Sequence, residues 1–205
     1  MTLALVETEE TLPKQKRSRA RRAAMIALGV ELLKNRDVDD VAVAELTGAL
    51  GYSTGSFYSA FTDKAAFFTA VQREVNKVVS VWIKEEIEAP DLSSQTLAER
   101  LTICINLTLR YFSEYRGVMR SALRYEQKMP AAWAPNRTSA QRITDGLVAG
   151  LEGRDRQKMQ VAIQLAFGTM VNAMLHDPGP LRLHDDAFGE EVVAALQPYL
   201  ASTNT

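Results

Sequence analysis

Between Val41 and Lys64 the chain carries two short runs in which apolar residues recur at helical spacing, with a single glycine, Gly51, between them. In the first run Val43, Leu46 and Leu50 stand at i, i+3 and i+7; in the second Phe57 and Phe61 stand four apart. Residues so spaced share one face of an α-helix. The spacing predicts helices over 42–50 and 54–61. Ser53 is placed to cap the second, since a hydroxyl there can take an orphan N–H of the first turn. Gly51 can adopt the positive φ that ends the first. Two helices of this size joined by a tight turn match a helix-turn-helix. Short amphipathic helices with a glycine turn also occur in helical proteins that never meet DNA.

The same periodicity runs through the rest of the chain. A helix is expected over 18–34, where Ile26, Val30 and Leu33 share a face with the small Gly29, and Asn35-Arg36-Asp37 ends it. Asp63 is placed to cap a long helix with a stripe of Phe67, Phe68, Val71, Val75, Val78 and Trp82, closing near Ala89-Pro90. Further helices are expected over 96–114, 116–127, 133–151, 154–175 and 186–200, punctuated by Pro130, Pro135, Gly153 and Asp177-Pro178-Gly179-Pro180. Strand signals and internal repeats are missing, so the fold class is all-α. Residues 1–13, polar, acidic and closed by Pro13, read as a disordered lead; 14–65 as a small DNA-binding domain; and 66–205 as a larger helical domain.

Of the 205 residues, 46% are hydrophobic, enough for a core. No run of about 18 apolar residues occurs, so no membrane span is expected. Glu7, Glu9 and Glu10 stand where a signal peptide would need basic and apolar residues, which makes a cytoplasmic location the expectation. The net charge of −1 hides an asymmetry. Lys14, Lys16, Arg17, Arg19, Arg21 and Arg22 follow one another with no acid between, while Asp185, Asp186, Glu190 and Glu191 collect near the other end. Such a basic block is either a solvated tail or a surface for a polyanion.

On the second short helix Phe57 and Phe61 should face inward, leaving Thr54, Ser56, Tyr58 and Ser59 outward. A helix that enters the major groove needs this division, with core hydrophobes behind and short polar groups in front. Hydroxyls can donate to phosphates or meet base edges. A tyrosine on the polar face has little packing reason to be there.

The stretch from Leu46 to Lys64 resembles the DNA-binding segment of the tetracycline-repressor (TetR) family, whose pattern there reads roughly I-A-x-x-A-G-V-S-x-G-x-L/F-Y-x-x-F-x-x-K. Leu46, Gly51, Ser53, Gly55, Phe57, Tyr58, Phe61 and Lys64 fall in register, and Arg22, Ile26, Val30 and Leu33 match the family's first helix. The resemblance implies phosphate contacts by Tyr58 and Lys64. It implies base or backbone contacts from Ser53, Thr54, Gly55, Ser56 and Ser59, and backbone or minor-groove contacts from Arg17, Arg19 and Arg22 ahead of the first helix. Four positions depart from the pattern. Asp37 stands where a glycine is usual, and Val41-Ala42 where a Thr or Ser begins the second helix. Thr47 replaces an alanine, and Thr54 replaces a frequent lysine.

The same resemblance implies a dimer, a palindromic operator and a small-molecule effector that releases a repressor from DNA; no cofactor or metal is called for. Met159, Ile163, Phe167, Met170 and Met174, with Phe188, Val192, Leu196 and Tyr199, form apolar faces that are hard to cover in a chain this small. They are expected to pair with a second subunit as a four-helix bundle; the alternative is that they close the monomer core. Tyr111, Phe112, Tyr115, Met119, Tyr125, Trp133 and Phe167 are the candidate effector residues, with Met129 beside them. Arg110, Arg124 and Arg142 are candidates for an anionic group on that effector. The lone Cys104 is a small buried hydrophobe or a redox-sensing thiol. His176 and His184 flank the Pro-Gly turn without a carboxylate pair, nucleophile elbow or phosphate loop, so an enzyme is not expected. A helical binding module that has lost its DNA contacts stands as the other rival.

Overall fold

Apolar spacing and capping residues together set the helices of the computed structural model, which describes residues 14–125 and 130–202. Helix α1 spans Lys14–Leu32, α2 Val43–Ala49, α3 Thr54–Ala60 and α4 Lys64–Ile83, the last running on through a π-helical turn at Lys84–Glu88. Beyond these come α5 at Leu97–Glu114, α6 at Arg116–Tyr125, α7 at Pro130–Leu147, α8 at Gly153–His176 and α9 at Phe188–Ala201. No strand occurs among the described residues. The expected lead at 1–13 and Met129 lie outside them.

The starts of three helices follow from single side chains. Ser53 Oγ accepts from Ser56 N–H at 3.3 Å and opens α3. Asp63 Oδ1 accepts from Ala66 N–H at 2.7 Å and opens α4. Thr96 and Glu99 form a reciprocal capping box at the head of α5. Gly51, at φ 69°, makes the turn after α2. Two expectations shift. The basic block is itself helical, since α1 begins at Lys14, so Arg17, Arg19 and Arg22 lie within α1 and not ahead of it. On α4 the buried stripe passes through Val79, while Val78 is 39% exposed, because a 3.6-residue period carries the face from Val75 to Val79 and Trp82.

Helices α1, α2 and α3 close over the head of α4. Phe57, Phe61 and Phe67 meet pairwise with ring centroids 5.3–5.5 Å apart, in edge or tilted geometries that favour aromatic pairs. Leu33 and Leu46 are buried beside them. Gly29 is where α1 crosses α4: a methyl group there would overlap the rings of Phe67 and touch Val71. Farther along, α4 packs on α7, while α5 packs on both α8 and α9.

Helix α6 joins the two ends of the molecule. Its Gly117 N–H donates to the Lys34 carbonyl at 2.9 Å, and a Cβ at Gly117 would overlap the carbonyls of Leu33 and Arg36. Ser121 Oγ accepts from Val38 N–H at 2.9 Å. Asp37, only 5% exposed, accepts from Arg120 Nε at 2.5 Å and from an Arg124 nitrogen at 2.7 Å. Asp37, which stands where the family pattern has a glycine, is therefore the buried anchor of an ion pair between the α1–α2 connection and α6.

Arg100 is buried with its guanidinium aimed at backbone. It donates to Leu92, Leu147 and Ala149 carbonyls at 2.6–2.9 Å, tying the loops at 89–96 and 148–152 to α5. Lys158, also buried, donates to the Leu200 carbonyl at 3.0 Å and to that of Ser202, satisfying the open end of α9.

Candidate nucleic-acid interface and enclosed cavity

Because Phe57 and Phe61 hold α3 to the core, its opposite face is presented to solvent. Ser53, Thr54, Gly55, Tyr58 and Ser59 are exposed and Ser56 is half-buried. Tyr58, at 58%, is the most exposed large hydrophobic side chain among the described residues and rests edge-on against Phe57 with centroids 5.3 Å apart. Ser59 Oγ donates to the Gly55 carbonyl at 2.9 Å, and the Ser53 and Ser56 hydroxyls lie 3.1 Å apart. A Cβ at Gly55 would meet nothing closer than Ser53 Oγ at 3.7 Å, so the fold does not require a glycine there. Lys64, half-buried in the first turn of α4, donates to the Asp39 carbonyl at 3.2 Å.

Of the arginines of α1, Arg22 lies nearest this face. The Arg22 guanidinium sits 4.9 Å from the centroid of Phe61, the residue that closes α3. Arg19 and Arg22 share a shallow groove with Glu31 and Glu74, and Arg17 is half-buried. Of the departures from the family pattern, Thr47 is accommodated by donating to the Val43 carbonyl at 3.0 Å. Ala42 caps α2 without a side-chain bond, and Val41 is buried.

A cavity of about 290 Å³ opens between α4, α5, α6, α7 and α8. Tyr111, Phe112, Met119, Trp133 and Phe167 line it, as does Cys104. Tyr115 and Tyr125 do not; Tyr115 packs on Trp82 and Tyr111 instead, with centroids 6.2 Å away from each. Burial pushes the Cys104 thiol up to about 12 and raises the Tyr111 hydroxyl as well. Tyr111 donates to Asn136 Oδ1 at 3.0 Å, which keeps its buried hydroxyl satisfied.

The three arginines read as anion binders are engaged with the protein's own carboxylates. Arg110 pairs with Glu86 and Glu114 and lies 3.9 Å from the Trp82 ring centroid. Arg124 pairs with Asp37, and Arg142 forks onto Glu88 at 2.8 and 2.9 Å. The Arg142 guanidinium holds the Glu88 carboxyl below the usual carboxylate range.

The apolar faces of α8 and α9 are covered within one chain to a greater extent than expected. Met159, Met170, Met174, Phe188 and Val192 are buried; Ile163, Phe167, Leu196 and Tyr199 are half-buried. The cover comes from α5, which packs against both helices, and Ile163 and Phe167 turn toward the cavity. Every exposed position of α8 from Gln157 to Asn172 is uncharged, with Leu165 at 50% among them.

No family model matches the sequence. A relative described as an uncharacterized HTH-type transcriptional regulator, YwcC of Bacillus subtilis (strain 168), is 31% identical over 91 residues. That match takes in 43% of this chain and 41% of the relative, so it spans about two fifths of the relative's length. A TetR-family transcriptional regulator from Streptomyces coelicolor superposes with a TM-score of 0.65 at 15% identity, covering 88% of this chain and 79% of that one. RolR, solved in complex with resorcinol, superposes at 0.58 and 19% identity, covering 93% and 92%. Both superpositions take in most of each chain: the all-helical fold of this chain is that of the TetR-family transcriptional regulators.

Proposed function

We propose that this chain is a transcription regulator that binds a palindromic operator as a dimer through α3 and is released from it by a small molecule held in the cavity between α4 and α8. The observation that carries the reading is the face of α3. It exposes Tyr58 at 58% beside a glycine, Gly55, that the fold does not need. An exposed aromatic with a hydroxyl and an unobstructed backbone both suit close approach to a phosphate strand. Ser53, Thr54, Ser56 and Ser59 supply short polar groups for base edges or backbone. Lys64, Arg17, Arg19 and Arg22 supply charge for phosphates. Residues 14–65 form the DNA-binding unit in this reading, and 66–205 the effector and dimer unit. No helix among the described residues is long and apolar enough to cross a membrane, in keeping with action on DNA in the cytoplasm.

Two subunits are required to place two α3 helices in successive major grooves, roughly 34–36 Å apart. The uncharged exposed face of α8 is the surface that supports this pairing, since loss of charge marks interface cores. Met119 of α6 lines the cavity, while Gly117, Ser121, Arg120 and Arg124 of the same helix grip residues 34–38. A ligand that displaces α6 would thereby reorient α1 to α3. A coupling of about 1–3 kcal/mol changes operator affinity some 5- to 150-fold. Repression is the mode proposed, because it is what the resemblance to the TetR family implies. RolR, with the same fold, was solved with resorcinol, which is consistent with a cavity for a small ring compound here.

Selection of bound duplexes from a random DNA pool at near-physiological salt tests the reading. Enrichment of a palindrome is expected. If a folded dimer enriches none, either with or without a cavity ligand, the α3 face is not a DNA reader, and a helical ligand-binding module is the surviving interpretation.

A further inference from the structure

The walls of the cavity are apolar: Val79, Leu107, Phe112, Met119, Trp133 and Phe167 make up much of them. Its polar side chains are almost all engaged with the protein. Thr108 donates to the Cys104 carbonyl at 2.8 Å, Ser139 to Asn76 Oδ1 at 3.2 Å, and Thr144 to the Ala140 carbonyl at 2.9 Å. Tyr111 donates to Asn136 Oδ1. Gln160 and Gln164 also line the cavity and are exposed. Among the buried side chains of the wall the exception is Asn136. The residue is 94% buried by its 6% exposure, and its Nδ2 has no hydrogen-bond partner. A buried amide N–H left unmade is costly, and one in a cavity wall invites an acceptor from a guest.

Among the described residues no carboxylate lines the cavity, so a cation would find no counter-charge from them. The one charged lining residue among them is Arg137, which is exposed and has a partner within the protein. Arg110, Arg124 and Arg142 are paired with carboxylates. An anion would therefore lose its hydration without gaining a buried counter-charge. The volume, about 290 Å³, is near twice the roughly 150 Å³ of a dry apolar cavity that admits benzene.

We infer that the cavity takes an uncharged, two-ring-sized apolar molecule bearing one oxygen acceptor, and that this oxygen receives the hydrogen bond of Asn136 Nδ2. Phe112, Met119, Trp133 and Phe167 hold the rings, and Asn136 sets their orientation. Tyr111 is a positioning residue, because its hydroxyl occupies Asn136 Oδ1 and leaves Nδ2 as the unpaired group of that amide. The assignment rests on the reading of this cavity as the effector site, but its chemistry can be tested without DNA.

Three probes of one shape decide it: isopropylnaphthalene, acetylnaphthalene and naphthoate, all substituted at the β ring position. They are titrated into the full chain with no DNA present, by tryptophan fluorescence and calorimetry. The neutral ketone is expected to bind about tenfold tighter than the hydrocarbon, the value of one well-made buried hydrogen bond, and tighter still than the carboxylate. Asn136→Leu is expected to abolish the ketone's advantage and leave hydrocarbon binding in place. The assignment is overturned if the carboxylate binds tightest, if ketone and hydrocarbon bind alike to the unaltered protein, if Asn136→Leu folds and preserves the advantage, or if none of the three binds. Should Asn136→Leu not fold, the three probes on the unaltered chain still decide the class. Failure here with a palindrome selected would sink the ligand class alone; success here with no palindrome would sink the DNA reading alone.

Discussion

Asp37 of the α1–α2 connection accepts a 2.5 Å hydrogen bond from Arg120 of α6, across 83 residues of chain. Arg124, one turn further along α6, reaches the other carboxylate oxygen at 2.7 Å. The carboxylate is buried while its arginines are part-exposed, so its removal forfeits two charge-assisted bonds that water only partly screens. Asp37→Ala is expected to lower stability by about 2 kcal/mol, read as a fall in the urea midpoint without a change in slope. A double-mutant cycle with Arg120→Ala should return a coupling near 1 kcal/mol. Additive effects of the two substitutions would show that the pair contributes nothing.

Two glycines give opposite expectations. A methyl group at Gly117 would overlap the backbone carbonyls of Leu33 and Arg36, which cannot step aside without parting α6 from α1. Gly117→Ala is therefore expected to cost about 3 kcal/mol, a loss of the overpacking kind. Gly48 lies inside α2 with nothing within 4 Å of its would-be Cβ. Gly48→Ala is expected to stabilise by about 0.5–1 kcal/mol through helix propensity. Thermal melts of both variants check the pair, and equal effects would refute the packing argument.

These contacts mark where reading the sequence reached and where it stopped. Ser53 and Asp63 are legible as caps because a cap binds backbone three residues away. The face of α3 was legible because Phe57 and Phe61 settle which side turns in. Asp37 was read as a turn residue, since nothing near it in sequence announces an arginine on α6. Arg110, Arg124 and Arg142 stand out as candidates for an anionic group because their charge is visible, while Glu86, Asp37 and Glu88, which they pair with, are distant in sequence; only Glu114, four residues from Arg110, is near. Met159, Met170 and Met174 show the same boundary. Periodicity tells which side of α8 is apolar but not whether α5 or a second subunit covers it.

Tyr58 is exposed, so its loss should leave the fold intact and remove contacts to DNA. Tyr58→Ala is expected to keep its thermal midpoint and lose operator binding. Lys64→Ala, by removing one phosphate contact, should lower the slope of log affinity against log salt by about 1. Binding isotherms over a range of salt concentrations measure both. Normal binding by a folded Tyr58→Ala protein would show that α3 is not the recognition helix.

The thiol of Cys104, raised to about 12 by burial, is a poor nucleophile. Disulfide reagents should therefore label the native chain far more slowly than the urea-unfolded one, and a cavity ligand should slow them further, since Cys104 lines that space. Prompt native labelling would revive the redox-sensing reading.

Leu165 is half exposed on a face of α8 that carries no charge from Gln157 to Asn172. A monomer has no use for such a strip, whereas a second copy of the same strip would bury it about a two-fold axis. Leu165→Glu would place two like charges against each other across that axis and desolvate both. Sedimentation is expected to show the unaltered chain as a dimer and the variant as a folded monomer. Because a monomer presents one α3, the variant should also lose most of its operator affinity while keeping its cavity ligand. A dimer that survives Leu165→Glu would move the interface elsewhere, to the half-buried Leu196 and Tyr199 of α9.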